Sequence, residues 1–190
     1  MVLVLAVLVG LVLGRLLGGR ISALAAIPIR APWLFYAAIG LQIAGYPSGV
    51  LPWSIGDSLA TVLWMVSYAL LIAAVAVNVR LPGAGIVGLG MLSNLAAVVA
   101  NGGHMPARAS ALRAAGVLYK GVHNNSEIAV HPNLPWLIDR WPVPAWIPMG
   151  NVFSVGDLLI AVGAVVLVCA GMGVRLRRRR ELASPSRVAA

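Results

Sequence analysis

Five apolar runs, over roughly 1–18, 32–48, 55–79, 82–101 and 152–174, decide what this chain can fold into. A helix needs ~17–25 apolar residues to cross the ~30 Å hydrocarbon core of a bilayer, and the runs reach or approach that length. Mean hydropathy is +0.94 and 61% of the residues are hydrophobic, against ~45–50% in ordinary soluble domains. A soluble fold of 190 residues has too little interior to hide so much apolar surface. The fold class read from this pattern is all-α, a polytopic integral membrane protein with about five transmembrane helices. Its transmembrane domain occupies 1–174, with one long extracytoplasmic loop over 102–151 and a basic cytoplasmic tail over 175–190.

Charge sets the expected orientation. The first run has no basic residue before it, and Arg15 and Arg20 follow it. That order favours an uncleaved helix over a signal peptide, with its N-terminus outside. Arg30, Arg80 and the arginine-rich tail then fall on the same side, so ten of the fourteen basic residues are cytoplasmic. The expected location is a bacterial cytoplasmic (inner) membrane, N-terminus out and C-terminus in. A net charge of +9 resembles a nucleic-acid signal, but the tail that carries much of it follows an apolar run. It reads as a topogenic anchor facing anionic lipid, with no nucleic-acid partner.

Two of the runs open alike. Trp53-Ser54-Ile55-Gly56-Asp57-Ser58-Leu59 is matched by Phe153-Ser154-Val155-Gly156-Asp157-Leu158-Leu159. They close on Asn78-Val79-Arg80-Leu81 and Gly173-Val174-Arg175-Leu176. The repeat predicts two helices entering the membrane in the same direction. Ser-x-x-Asp before an apolar run is also a shortened capping box, so Asp57 and Asp157 are read first as helix caps. Asn94, in a glycine-rich run, is read as a packing contact between helices.

The loop over 102–151 holds a short surface helix over 110–121. A segment rich in proline and tryptophan follows, unsuited to a regular helix and drawn to the headgroup level. Asp57, Glu127, Asp139 and Asp157 fall on the outer side, and Glu181 alone among the acids is cytoplasmic. Asp139 has a plain reading as a surface partner of Arg140 or Arg113, and Glu127 as a solvated charge. His104, His123 and His131 have no compact ligand spacing, so no metal and no cofactor are expected. Cys169 lies alone in an apolar run and predicts no internal disulfide.

Two resemblances bear on function. The stretch Asn101-Gly102-Gly103-His104-Met105-Pro106 and the ending Asn151-Val-Phe-Ser-Val-Gly-Asp157-Leu-Leu-Ile-Ala-Val-Gly163 resemble an uncharacterised bacterial membrane family, domain of unknown function 5317. That likeness implies no activity. Phe153-Ser154-Val155-Gly156-Asp157, continuing to Ile160 and Gly163, is locally similar to signal peptidase II, an aspartyl enzyme that trims lipoprotein precursors. Leu137-Ile138-Asp139-Arg140 resembles the region of its other aspartate, although Ser154 and Gly156 stand where that family has Asn and Ala. This likeness implies Asp139 and Asp157 as a catalytic dyad, with Asn101, Asn124 or Asn151 orienting a lipidated peptide.

Three functions therefore stay open: a non-enzymatic membrane component with a polar site on its outer face, an aspartyl peptidase, or a small transporter or ligand-binding protein. In the last, Asp57 and Asp157 face one cavity. Residues assigned to binding are Asn101, Asn124, Asn151 and Asp57. Expected partners are the lipid bilayer and either a lipidated peptide or another membrane protein.

Overall fold

A computed structural model describes residues 2–45, 55–116, 126–128, 131–143 and 152–174. The chain is mostly helical, with few strands. Helix α1 (Val2–Leu16) leads through a 3-10 turn (Ile21–Ala26) to α2 (Trp33–Gly45), α3 (Asp57–Val77) and α4 (Ala84–Ala100). Next come β1 (Met105–Ala107), the short α5 (Ala109–Ala114), β2 (Ser126–Ile128), β3 (Trp141–Pro142) and β4 (Val152–Phe153), and then α6 (Val155–Gly171). Each apolar run carries one long helix. Ser58–Val77 is long and apolar enough to cross a membrane, at a mean hydropathy of 2.2, whereas α1, α2, α4 and α6 are apolar but shorter.

The five long helices make their main contacts as a single row, in the order α2, α3, α4, α6, α1. Gly45 at the end of α2 lies against Ala60 and Leu63 near the start of α3. The Tyr68 hydroxyl of α3 donates to the Met91 carbonyl of α4 at 3.0 Å. On the far side of α6, Gly10 and Gly14 of α1 admit Val168 and Met172. These pairs make α2 and α4 run one way, and α1, α3 and α6 the other. The two repeated helices are thus parallel, with α4 between them.

The centre of the row is its tightest joint. Helix α4 has Gly83 at its N-cap and Gly90 seven residues later, while α6 has Gly156 and Gly163 at the same spacing. Antiparallel packing sets Gly83 against Gly163 and Gly90 against Gly156. A Cβ on Gly90 would lie 2.5 Å from the Gly156 carbonyl oxygen, and one on Gly163 would lie 2.7 Å from that of Gly83. Backbone meets backbone here, which only glycine permits.

Two asparagines secure the chain at opposite ends of the row in the same way. Asn78, the C-cap of α3, accepts at Oδ1 from the Arg30 N–H at 2.7 Å and donates from Nδ2 to the Arg30 and Ala74 carbonyls, each at 2.8 Å. Asn101, the C-cap of α4, accepts from the Asn133 N–H at 2.8 Å and donates to the Asn133 and Ala97 carbonyls at 3.0 and 2.7 Å. Each side chain pairs with a distant peptide as a strand would, while satisfying a carbonyl that the end of its own helix leaves free. Gly102 and Gly103, at φ 72° and 95°, then turn the chain back over the end of α4.

The segment between α4 and α6 is fastened to the row by Met105 and Leu137, which pack with Ala97, Val98, Trp64 and Met65. Its own small core joins Ala107, Ala111, Leu112, Ala115 and Val152. Strands β1 and β2 pair in parallel, and β3 and β4 pair antiparallel. The sequence pattern predicts a helix over 110–121; the helix present is Ala109–Ala114, and 117–125 lie outside the described residues. The capping expectation differs between the two copies of the repeat. Helix α3 begins at Asp57 itself, after an extended Gly56 N-cap that supplies no side-chain bond. Asp57 is therefore not at the third position of a box opened by Ser54, and Ser54 lies outside the described residues.

Candidate functional site

In the second copy the capping box is complete. Ser154 Oγ accepts from the Asp157 N–H at 3.1 Å, and the Ser154 N–H donates to Asp157 Oδ2 at 3.0 Å. Asn94 of α4 adds a third member. Its Nδ2 donates to Asp157 Oδ1 at 2.9 Å, and its Oδ1 lies 2.8 Å from Ser154 Oγ. The single hydroxyl proton of Ser154 is shared between Asn94 Oδ1 and Asp157 Oδ2, the latter at 3.1 Å. Gly156 makes this possible, because any Cβ there would collide with the Asn94 amide. Asp157 thus receives bonds on both oxygens and is fixed to two helices.

Asp139 reaches the same place by backbone pairing. Its N–H donates to the Pro106 carbonyl at 3.0 Å, and its carbonyl accepts from the Arg108 N–H at 2.9 Å, extending β1 by a parallel bridge to Ala107. The next residue, Arg140, donates its N–H to the Phe153 carbonyl at 3.1 Å, one residue before the cap of α6. Asp139 therefore joins the two small sheets beside the first turn of α6. Two residues before Asp139, Leu137 packs against the cluster of Ala97, Val98 and Met105.

Asp139 is 7% exposed. Burial, reinforced by the charge of Asp157, pushes its carboxyl up to about 8. At neutral pH Asp139 holds a proton within electrostatic reach of an aspartate that accepts hydrogen bonds on both oxygens. The surface ion pair expected of Asp139 is replaced by this arrangement: among the described residues neither Arg140 nor Arg113 bridges to it, and the Arg140 guanidinium lies over the Trp141 ring at 5.2 Å. Such a pair can donate a proton from one carboxyl and accept one at the other.

The remaining candidates divide. Both amide donors of Asn101 are committed to the clasp, which leaves it a holding role in this conformation. Asn124 and Asn151 lie outside the described residues, as do the side chains of Asp57 and Glu127. His131 is exposed, and His104 carries a buried Nδ1 with no partner among the described residues. Among the described residues no three metal-binding side chains gather. Asn94 and Ser154 are the hydrogen-bonded neighbours of Asp157 that the sequence reading takes as packing and cap. Ser154 was legible through the Ser-x-x-Asp pattern, whereas Asn94 needed the register that the paired glycines set.

These features define a class: among the described residues, a row of apolar helices with a small capped end in which Asp139 is buried within electrostatic reach of Asp157. The chain belongs to the family of unknown function DUF5317, whose family model matches residues 26–169. The match takes in α2 to α5, both asparagine clasps, Asp139, and α6 as far as Cys169. No match is found among the curated proteins or the solved structures, and the local likeness to signal peptidase II is not supported by any of the comparisons.

Proposed function

We propose that this is a multispan inner-membrane protein whose outer end carries a proton-sharing carboxyl pair, Asp139 and Asp157. The observation that carries this reading is the burial of Asp139, held by backbone pairing next to the cap of α6, which pushes its carboxyl up to about 8. Several features support the membrane setting. A single row of helices leaves apolar residues exposed on α1, α2, α3, α4 and α6, among them Leu8, Ile39, Val62, Leu89 and Val162. Only 17% of the apolar window of α3 is buried, unlike a soluble core helix. Exposed Trp33 and Trp136 sit at opposite ends, as headgroup-level tryptophans do. Arg15, Arg20, Arg30 and Arg80 share the end away from the aspartates, which under the positive-inside rule supports an outer position for the carboxyl pair.

Infrared titration of the reconstituted protein tests the pair. A protonated-carboxyl band should disappear with a midpoint near pH 8, and Asp139→Asn should remove it. A band that survives in that variant, or none at pH 6, rejects the assignment.

A second reading is favoured by the way separate strands bring Asp139 to the cap of α6: an aspartyl hydrolase acting on a membrane-anchored peptide. Asp157 would take a proton from water as Asp139 gives one to the scissile carbonyl. The reconstituted protein should then cleave a diacylglyceryl-modified peptide, and either Asp→Asn change should slow it ~10²–10⁴-fold. Absence of cleavage in correctly inserted protein leaves the pair as a non-hydrolytic proton site.

A further inference from the structure

The end opposite the aspartates contains an apolar cavity of about 240 Å³, lined by Ala26, Ile27, Pro28, Leu81, Pro82 and Leu167 among others. It exists because the chain after α1 folds across the foot of α6. Leu24 and Ile27 press on Gly171, where a Cβ would stand 2.5 Å from the Ile27 side chain. The turn between α3 and α4 forms the opposite wall. Among the described residues no charged side chain lines the cavity, but three arginines border it along the chain. The Arg20 N–H donates to the Met172 carbonyl at 2.9 Å, next to the lining residue Gly171. Arg30 follows the lining residue Pro28 by two positions and is held by the Asn78 clasp. Arg80 directly precedes Leu81. All three are exposed.

No acidic residue among the described ones lies at this end, so its positive charge is unbalanced within the row. A second copy of the chain docking here by twofold symmetry would set arginine against arginine. The chemistry that satisfies both features has an anionic head and an apolar tail. We infer that this end binds one anionic phospholipid, an acyl chain entering the cavity and the phosphate lying among Arg20, Arg30 and Arg80. The inference rests on the membrane-spanning reading. It assigns these arginines a ligand in addition to their effect on orientation, and Asn78 the task of holding Arg30 in place.

The test uses full-length protein in nanodiscs of equal phosphatidylcholine and phosphatidylglycerol, released and weighed by native mass spectrometry. Wild-type protein should retain one phosphatidylglycerol in preference to phosphatidylcholine. Each of Arg20→Gln, Arg30→Gln and Arg80→Gln should weaken that retention about fivefold. Ala26→Phe, which fills the cavity, should weaken it without touching a charge, with Ala23→Leu as a milder second filling. Thermal melting identifies any variant that fails to fold, and residues 175–190 are common to all the proteins, so their attraction to lipid cancels. Soluble glycerol phosphate should not displace the lipid. Equal retention of the two lipids, indifference to the three arginine changes, no effect of either filled cavity, or displacement by glycerol phosphate would each overturn the site. Release of the wild-type protein from membranes by alkaline carbonate would instead overturn the membrane reading beneath it.

Discussion

A carboxyl group that is cheaper to bury neutral than charged makes folding itself sensitive to pH. Asp139 begins from an ordinary value of 3.8 and is raised to about 8. Between those limits the folded protein keeps a proton that the unfolded chain has released. Its contribution to stability is therefore fully present below about pH 4, declines as pH rises towards 8, and is flat beyond. Asp139→Asn should remove that slope: its melting temperature in detergent should match wild type near pH 4 and exceed it at pH 8. A variant that keeps the wild-type slope would move the titration to another group. Asp157 was legible in the sequence as a cap because Ser-x-x-Asp is a local pattern. The burial of Asp139 was not legible, because it depends on backbone pairing with Pro106 and Arg108, which lie about thirty residues away and leave no side-chain signature.

Among the elements, α4 and α6 form the joint on which the site depends, since Asn94 reaches Asp157 only while Gly90 and Gly156 touch. Gly156→Ala inserts a methyl group between the Asn94 amide and the Gly90 carbonyl. Overpacking of this kind costs ~1–3 kcal/mol, and it should also separate Asn94 from Asp157. Gly40→Ala is the matched control: it lies within α2 with nothing near its missing Cβ, and helix propensity predicts a gain of ~0.5–1 kcal/mol. Melting of the two variants in the same detergent should move in opposite directions. Equal shifts would mean that the glycine joint is not limiting. The glycines of α4 could be seen in the sequence as a packing surface, but not their partner, because the Gly-x6-Gly spacing of α6 acquires meaning only in antiparallel register. The strand pairs β1–β2 and β3–β4 were hidden for a different reason: two or three residues are too few for an alternating pattern.

For the molecule as a whole, the helical content was legible in the apolar runs, and the one-layer packing was not. Layers of secondary structure normally cover one another; here, among the described residues, both broad faces of the row are left to the surroundings. The shorter helices, of 13 to 17 residues, span only about 20–25 Å at 1.5 Å per residue; under the membrane-spanning proposal, that length favours a locally thinned bilayer. Orientation can be read by labelling intact cells, in a Cys169→Ala background, with an impermeant maleimide. Under the proposed orientation, Trp136→Cys should react from outside, and Arg20→Cys only after the cells are opened. The reverse pattern would invert the topology and place the carboxyl pair in the cytoplasm.

The two asparagine clasps look alike, yet they differ in when they can close. A ribosome makes the chain from its N-terminus, so Arg30 is already waiting when Asn78 emerges, whereas Asn101 must wait for Asn133. The arginine end of the row can lock as soon as α3 is made. The aspartate end stays open until the segment beyond α4 has been made. Assembly of this protein thus has a built-in sequence, arginine end first and aspartate end last, so Asp139 comes within reach of Asp157 only after α1 to α4 have been made.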